Sequence, residues 1–147
     1  GRLTFYSKKG GEKSPAKKRL THLDEGEYQV RIKDWEFKTS AKGNEMINLQ
    51  LEEVDSKNFI WDYLVFTPTA QWKLKQFLPA IGKEVGESVD MDESFMNAIV
   101  GEHLWVDLGI DTYQEKTKNT VASYLAGKER LPRRVIEDED VPSWDKE

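Results

Sequence analysis

Apolar and polar residues alternate in two runs near the start of the chain, and this period of two predicts a β-hairpin. The alternate apolar positions are Tyr28, Val30, Ile32, Ile47, Leu49 and Leu51. The segment TSAKGNE at residues 39–45 separates the two runs, and its Gly43-Asn44 pair is a turn signal. A third run, FIWDYLVF at residues 59–66, is apolar on both faces, which predicts a strand at the centre of the sheet or under a helix.

Helical spacing replaces the alternation after residue 66. Thr67 is a candidate N-cap, and Pro68 suits the first turn of a helix. Apolar residues recur at helical spacing, which predicts that this helix buries Trp72, Leu74, Phe77, Leu78 and Ile81. Gly82 is placed to end the helix, and Asp92 is a candidate cap for a short second helix over residues 91–101.

Alternation returns at residues 102–113 and 120–127, which predicts two more strands joined by a turn, QEKTKN, at residues 114–119. Five short strands with a helix between the third and the fourth are the layout of the OB-fold, a five-stranded Greek-key barrel. The predicted fold class is therefore all-β with an inserted helix. Another small barrel and an open α+β sheet stay as alternatives.

Charge divides the chain into three segments. The first twenty residues carry seven basic residues and one acid, and residues 1–24 are predicted to be a flexible basic arm. Residues 25–134 are predicted to form the OB-fold domain. Residues 135–147 are predicted to be a disordered acidic tail, because the last twelve residues carry six acids and one lysine. The formal net charge of −5 therefore does not decide for or against a nucleic-acid partner, and local patches must do so.

Composition narrows the class of protein. The chain has no cysteine, which excludes disulfides and thiolate metal sites. It has no apolar run of the roughly 18 residues that a membrane span needs, so we expect a cytoplasmic protein without a membrane partner. Its two histidines, His22 and His103, have no histidine nearby in the sequence, so we expect neither a metal site nor a cofactor.

Catalytic motifs are weak, and the chain is predicted not to be an enzyme. Residues 36–38 and 55–57 each match the acid-x-Lys half of a metal-dependent nuclease motif. The other half is missing, because the chain contains no Pro-Asp dipeptide. Such triplets arise by chance in a chain that is 33% charged, so the nuclease stays only as an alternative.

Aromatic and basic residues share the predicted strands, and this combination is typical of proteins that bind single-stranded nucleic acid. Bases stack on aromatic faces while cations hold the phosphates, and neither contact needs a particular sequence. The candidate binding residues are Arg31, Lys33, Trp35, Phe37, Lys38, Lys42, Trp61, Tyr63, Tyr113, Lys116 and Lys118. The alternation predicts one exposed strand face that carries Arg31, Lys33, Trp35 and Phe37. It leaves open whether Trp61, Tyr63 and Trp105 belong to the core or to the site.

The acidic tail contains one aromatic residue, Trp144. A tail that only aids solubility does not explain why a tryptophan is present. We expect the tail to compete with DNA for the basic groove and, once released, to recruit a partner protein with Trp144 as the anchor. The predicted partner-binding residues are Glu137, Asp138, Glu139, Asp140, Trp144 and Asp145. A tail that only aids solubility is the alternative.

Three stretches of the chain resemble a known phage family. They are KTSAKGNEM at residues 38–46, WDYL at 61–64 and WKLKQFL at 72–78, within a similarity that spans residues 25–126. The family is domain of unknown function 669, whose members look like single-stranded DNA-binding proteins with an OB-fold. The resemblance implies a role in phage DNA replication or recombination, in the cytoplasm of a bacterial host, with replication or recombination proteins recruited through the tail.

Two functional hypotheses of different classes follow. The first is a sequence-tolerant single-stranded DNA-binding protein that acts without catalysis. The second is a phage protein-interaction adaptor, in which the OB barrel binds a protein and no DNA. The preference for DNA over RNA, the site size and self-association into a homo-oligomer stay open.

Overall fold

The computed structural model of the chain describes residues 22–83 and 89–134. Its strands are β1 (Gly26–Thr39), β2 (Glu45–Glu53), β3 (Phe59–Val65), β4 (His103–Tyr113) and β5 (Lys116–Leu125). A 3-10 turn (Pro68–Ala70), α1 (Gln71–Ala80) and α2 (Glu93–Ile99) lie between β3 and β4. The prediction of a mostly β fold with an inserted helix is confirmed. Residues 1–21 of the predicted arm and the whole predicted tail lie outside the described residues.

The five strands form one antiparallel sheet in the order β3-β2-β1-β4-β5. The predicted barrel is not closed, because no hydrogen-bonded ladder joins the edge strands β3 and β5 in the described part of the chain. A central position for the third strand is wrong, since β3 lies at an edge. Its apolar character has a different reason: one face packs on the core while the other carries exposed aromatic rings.

The core lies on one face of the sheet, beneath α1 and α2. It includes buried aliphatic side chains from all five strands together with four residues of the helices: Val30, Ile32, Ile47, Leu49, Leu51, Ile60, Leu64, Leu104, Val106, Leu108, Val121, Phe77, Ala80, Met96 and Ile99. The burial predicted for Phe77 is confirmed, whereas Leu74 is only partly buried. The burial predicted for Trp72 is wrong. Trp72 precedes Phe77 by five residues, which is about 140° around an α-helix, so it faces away from the sheet.

A β-bulge in the middle of β1 reverses which side chains face the core. Ile32 lies opposite Leu51, but the next pair is Asp34 with Gln50, so Lys33 is the extra residue on β1. Side chains alternate strictly along a strand, and one inserted residue therefore exchanges the two faces beyond it. Even-numbered positions face the core before the bulge, and odd-numbered positions do so after it.

Local signals near the helices agree with the structure at most positions. The Asp92 carboxylate accepts a hydrogen bond from the Phe95 N–H at 2.9 Å, so the predicted cap of α2 is confirmed. Gly82 has a φ of 88° directly after α1, the left-handed conformation that ends helices. Thr67 makes no side-chain bond to a helical N–H, so its capping role is wrong.

The ends of two strands differ from the sequence-based expectation. Only Gln114 and Glu115, both with positive φ, lie between β4 and β5, so the turn is four residues shorter than QEKTKN. Leu23, within the predicted arm, is buried, and its N–H donates to the Asn119 side-chain oxygen at 2.7 Å. Contacts with the sheet therefore begin before residue 25.

A polar cluster joins the two edge strands where no ladder does. Asp62 of β3 is buried, and its carboxylate accepts a bond from the Lys73 ammonium of α1 at 2.9 Å. The other oxygen of Asp62 accepts a hydrogen bond from the hydroxyl of Tyr124 in β5. We call these three residues the Asp62 clasp. It connects β3, α1 and β5 through one carboxylate.

The segment after β5 crosses the opposite face of the sheet, the outer face. Residues 126–134, which we call the strap, run over β4 and β1. The Trp105 indole N–H donates to the Glu129 carbonyl at 2.8 Å, and the Leu131 N–H donates to the Gln29 side chain at 2.7 Å. The strap therefore lies over β4 and β1, and its hydrogen bonds do not reach β2 or β3.

Replacing Tyr124 with phenylalanine should weaken the fold and change how its stability depends on pH. The lost bond to a buried carboxylate should lower the free energy of unfolding by about 1.5–3 kcal/mol at neutral pH. Burial, reinforced by the charge of Asp62, raises the pKa of the Tyr124 phenol well above its usual value. The folded state thus keeps the proton that the unfolded chain releases near pH 10, and this contribution to stability is lost as the pH rises further.

Thermal unfolding between neutral pH and about pH 11 should therefore show a steeper loss above pH 10 in the original protein than in Tyr124→Phe. Tyr113→Phe, with a hydroxyl on an exposed side chain, is the matched control and should follow the original protein. Parallel curves for all three proteins would contradict the role given to the Asp62 clasp.

Candidate nucleic-acid interface

Three aromatic side chains stand at alternate positions along β3 on the outer face of the sheet. They are Phe59, Trp61 and Tyr63, which we call the aromatic strip, and Trp61 is 51% exposed. They point outward because the residues between them pack inward on the core. Phe59 and Trp61 meet edge to face, with ring centroids 5.9 Å apart. The strip therefore offers flat apolar surfaces in a row, as base stacking requires.

The neighbouring strand borders the aromatic strip with amides. Gln50 of β2 lies opposite Trp61, and Asn48 lies opposite Tyr63, so each amide shares the outer face with its aromatic partner. Both amides are half-buried, and the strap does not reach this part of the sheet. Amide side chains both donate and accept, so they are suited to polar contacts with the edges of bases.

Basic side chains lie on the side of the strip that faces β5 and at the Phe59 end of the strip. A cleft of about 630 Å³ separates β3 from β5, and Lys73 and Lys118 line it together with residues 59–63. At one end of the strip, the Lys33 ammonium lies 5.6 Å from the centroid of the Phe59 ring. Cations beside stacked aromatic rings are the arrangement that holds a single strand by its phosphates and bases at once.

The opposite side of the strip is acidic. Asp34 and Glu36 of β1 share a smaller pocket, about 190 Å³, with Trp61 and the two amides. Both carboxylates are on exposed residues. The charges around the aromatic strip are therefore unevenly distributed: lysines line the cleft toward β5, carboxylates lie beside Trp61 toward β1, and the β1 lysines are Lys33 at the Phe59 end and Lys38 in its pair with Glu36.

Arg31 does not contribute to this surface. It is only 7% exposed and pairs with Glu52 of the neighbouring strand. It lies on β1, in the middle of the sheet, and both partners are largely withdrawn from water. The prediction that Arg31 lines an exposed groove is therefore wrong, because a neighbouring strand supplies its counter-ion.

The shared face predicted for Arg31, Lys33, Trp35 and Phe37 is also wrong, because the bulge at Lys33 turns the last two toward the core side. Trp35 is half-buried against the core, and its indole N–H donates to the Asn97 side chain of α2 at 3.0 Å. Phe37 is exposed, but it packs edge to face on Trp35, at 4.8 Å, on the side away from the aromatic strip.

The structure separates the three aromatic residues that the alternation left open. Trp61 and Tyr63 are exposed, whereas the strap covers Trp105, whose ring also has the Lys128 ammonium 4.7 Å from its centroid. Sequence reasoning missed Trp72, which is exposed on α1 with the Lys73 ammonium 5.9 Å from its ring. The available signal was α1 itself, which carries two lysines and no acid around this residue.

The remaining candidates lie at the two hairpin ends. Lys38 is 3.5 Å from Glu36 in an ion pair, and Lys42 is exposed in the turn between β1 and β2. Tyr113 and Lys116 are exposed beside the turn between β4 and β5. Of the predicted set, the structure brings together Trp61, Tyr63 and Lys118, with Lys33 at the end of the strip. The predicted tail residues lie outside the described part of the chain.

Titratable side chains do not cluster in the described residues in a way that could hold a metal ion. His103 begins β4 and is buried, and this burial lowers the pKa of its imidazole. Across residues 22–83 and 89–134, no helix is long and apolar enough to cross a membrane.

The two tryptophans on opposite sides of the sheet should respond differently to truncation. Trp35→Ala should lower the free energy of unfolding by about 2 kcal/mol or more, because it removes core contacts and the bond to Asn97. Trp61→Ala should change it by less than about 1 kcal/mol, since it removes an exposed ring. Urea denaturation measures both, and equal losses would contradict this assignment of the two faces.

One comparison with known proteins supports the family part of the resemblance and assigns no activity. A search of curated proteins finds no match to the chain. A family model that bears the description "Protein of unknown function" matches most of the chain, and this description assigns no activity. The match begins before β1 and ends within the strap, so it includes the whole sheet, both helices and the aromatic strip. The chain therefore belongs to the family described as Protein of unknown function (DUF669), whose model matches residues 12–130.

Proposed function

We propose that the chain is a non-enzymatic, sequence-tolerant single-stranded DNA-binding protein. The observation that carries this proposal is the aromatic strip, which lies bare on the outer face with lysines beside it. Exposed aromatic rings in a row on an edge strand contribute nothing to the core and invite aggregation, so their exposure calls for a ligand. A chain of bases with charged phosphates fits both the rings and the lysines.

The strand order supports an OB-fold as the finer description. Strands β1 to β3 form a meander and β4 returns beside β1, the spatial order 4-1-2-3 of a Greek key. OB-folds are partly open barrels, and they bind oligonucleotides on the face of strands 2 and 3 between the loops that follow strands 1 and 4. In this chain that face carries the aromatic strip, the first of those loops carries Lys42, and Tyr113 lies at the end of β4 beside the second.

Stacking energies make this surface sufficient without a sequence code. One base stacked on an aromatic side chain contributes about 1–3 kcal/mol, so Trp61 and Tyr63 together support binding of a short oligonucleotide. Every base has a π-face, and the flanking lysines interact with the invariant phosphates. Affinity should therefore depend strongly on salt and weakly on sequence.

The biological role and the tail are part of the same proposal. The family resemblance favours phage DNA replication or recombination, with partner proteins recruited through residues 135–147. Trp144 is the anchor in this proposal, because tryptophan provides a large buried area in protein interfaces. The acids around it compete with DNA for the lysines beside the aromatic strip.

Trp61→Ala should weaken binding of oligo(dT) by about 1–3 kcal/mol, the contribution of one stacked base. Fluorescence titration measures this, because a base stacked on Trp61 should quench its emission in the original protein. Trp105→Phe, under the strap, is the matched control and should bind with the original affinity. If the original protein neither binds nor is quenched by oligo(dT), the proposal is wrong and the protein-interaction adaptor becomes the better hypothesis.

Deleting residues 136–147 should tighten binding of oligo(dT), because six acids and one lysine are removed. The effect should be larger at about 50 mM salt than at about 300 mM, where charges are more strongly screened. Trp144→Ala should leave DNA affinity nearly unchanged while it reduces capture of the replication or recombination partner. Fluorescence anisotropy at both salt concentrations measures the competition, and equal low-salt affinities with and without the tail would argue for a solubilising tail.

A further inference from the structure

We propose that single-stranded DNA crosses the aromatic strip in one orientation, with its phosphates along the cleft between β3 and β5 and its bases over β2. This inference rests on the proposed function. It adds which side of the strip the phosphates face and which side the bases face. It also assigns Lys73, together with Lys118, to the phosphate-binding residues. The argument uses the charges and polar groups on the two sides of the strip.

The cleft side of the strip holds two lysines in different environments. Lys73 is fixed at the cleft by its 2.9 Å ion pair with Asp62, and its side chain is only 18% exposed. Lys118 is exposed on β5, and no carboxylate in the described residues pairs with it. Since Asp62 is buried and also binds Tyr124, the charge that this side presents to a ligand is net positive. A phosphate group is therefore stabilised on this side.

The backbone of the two edge strands adds donors to the same cleft. Because no ladder joins β3 to β5 in the described part of the chain, the outer row of N–H and C=O groups of each strand lacks a strand partner. The Gln76 side chain of α1 accepts a hydrogen bond from one of these groups, the Tyr124 N–H, at 3.0 Å. Outer backbone groups without such a side-chain partner need hydrogen bonds from water or a ligand. Backbone N–H groups are common donors to phosphate oxygens.

The β2 side of the strip has the opposite character. Beyond the amides of Asn48 and Gln50 lie the exposed carboxylates of Asp34 and Glu36. Glu36 pairs with Lys38 at 3.5 Å, whereas Asp34 has no such ion pair within the described residues. A phosphate placed here meets like charge, whereas a neutral base meets two amides that donate and accept. The acids on this side therefore disfavour the reverse orientation.

The salt dependence of binding tests this orientation. For a single strand, the slope of log K against log salt changes by about 0.7 for each phosphate contact. Lys118→Gln should therefore flatten the slope for oligo(dT) by about 0.7 and weaken binding several-fold at low salt. Lys73→Gln should flatten the salt slope by a similar amount. Because this variant leaves Asp62 without its cation, its free energy of unfolding should also be measured by urea denaturation. Lys118→Gln keeps the test decisive if Lys73→Gln fails to fold.

Two matched variants complete the test. Lys128→Gln removes a lysine next to the strap-covered Trp105 and should keep the original slope. Glu36→Lys places a cation on β1, beyond the β2 amides. It should also keep the original slope. An unchanged slope in Lys118→Gln, or a slope steepened by about 0.7 in Glu36→Lys, would overturn the orientation. Failure of the proposed function is distinguishable, because the original protein would then not bind oligo(dT) at all.

Discussion

The buried carboxylate of Asp62 holds the fold together at the point where the sheet does not close. Every other neighbouring pair of strands is joined by a ladder of backbone hydrogen bonds, whereas β3 and β5 meet through side chains. The desolvated charge of Asp62 is compensated by the ammonium of Lys73 and the hydroxyl of Tyr124. The clasp thus fixes α1 against both edge strands. The cleft between these strands lies beside the clasp and is where the DNA phosphates are proposed to run.

The outer face of the sheet has two halves with different physical roles. The strap lies over β4 and β1, where it covers Trp105 and accepts a hydrogen bond from the indole N–H of that residue. Over β2 and β3 nothing in the described residues covers the sheet, and the aromatic strip lies open there, with lysines at the cleft toward β5, carboxylates toward β1 and Lys33 at the Phe59 end. Partial coverage therefore determines which aromatic residues are accessible to a ligand, and under the proposed function the charges beside the strip orient a bound strand.

Much of the architecture could be predicted from local patterns. Period-two alternation located the strands, and helical spacing located α1, because burial on one face of a regular element imposes those periods. Asp92 was identified as a cap, since capping depends on residues that are close in sequence. Even the bulge had a local signal: the apolar positions change from even, at Ile32, to odd, at Trp35 and Phe37.

The sequence by itself thus determined the elements, their order and the supply of aromatic and basic residues. Only the tertiary structure decided which of them are available to a ligand. Trp61 and Trp105 both lie in alternating strands, but Trp61 is on the open edge strand β3, whereas the strap contacts Trp105 on β4. Likewise, Glu52 of the neighbouring strand pairs with Arg31 and keeps it away from the surface. The ion pair with Asp62 holds Lys73 at the cleft. Such contacts join residues far apart in the chain, so no local pattern records them.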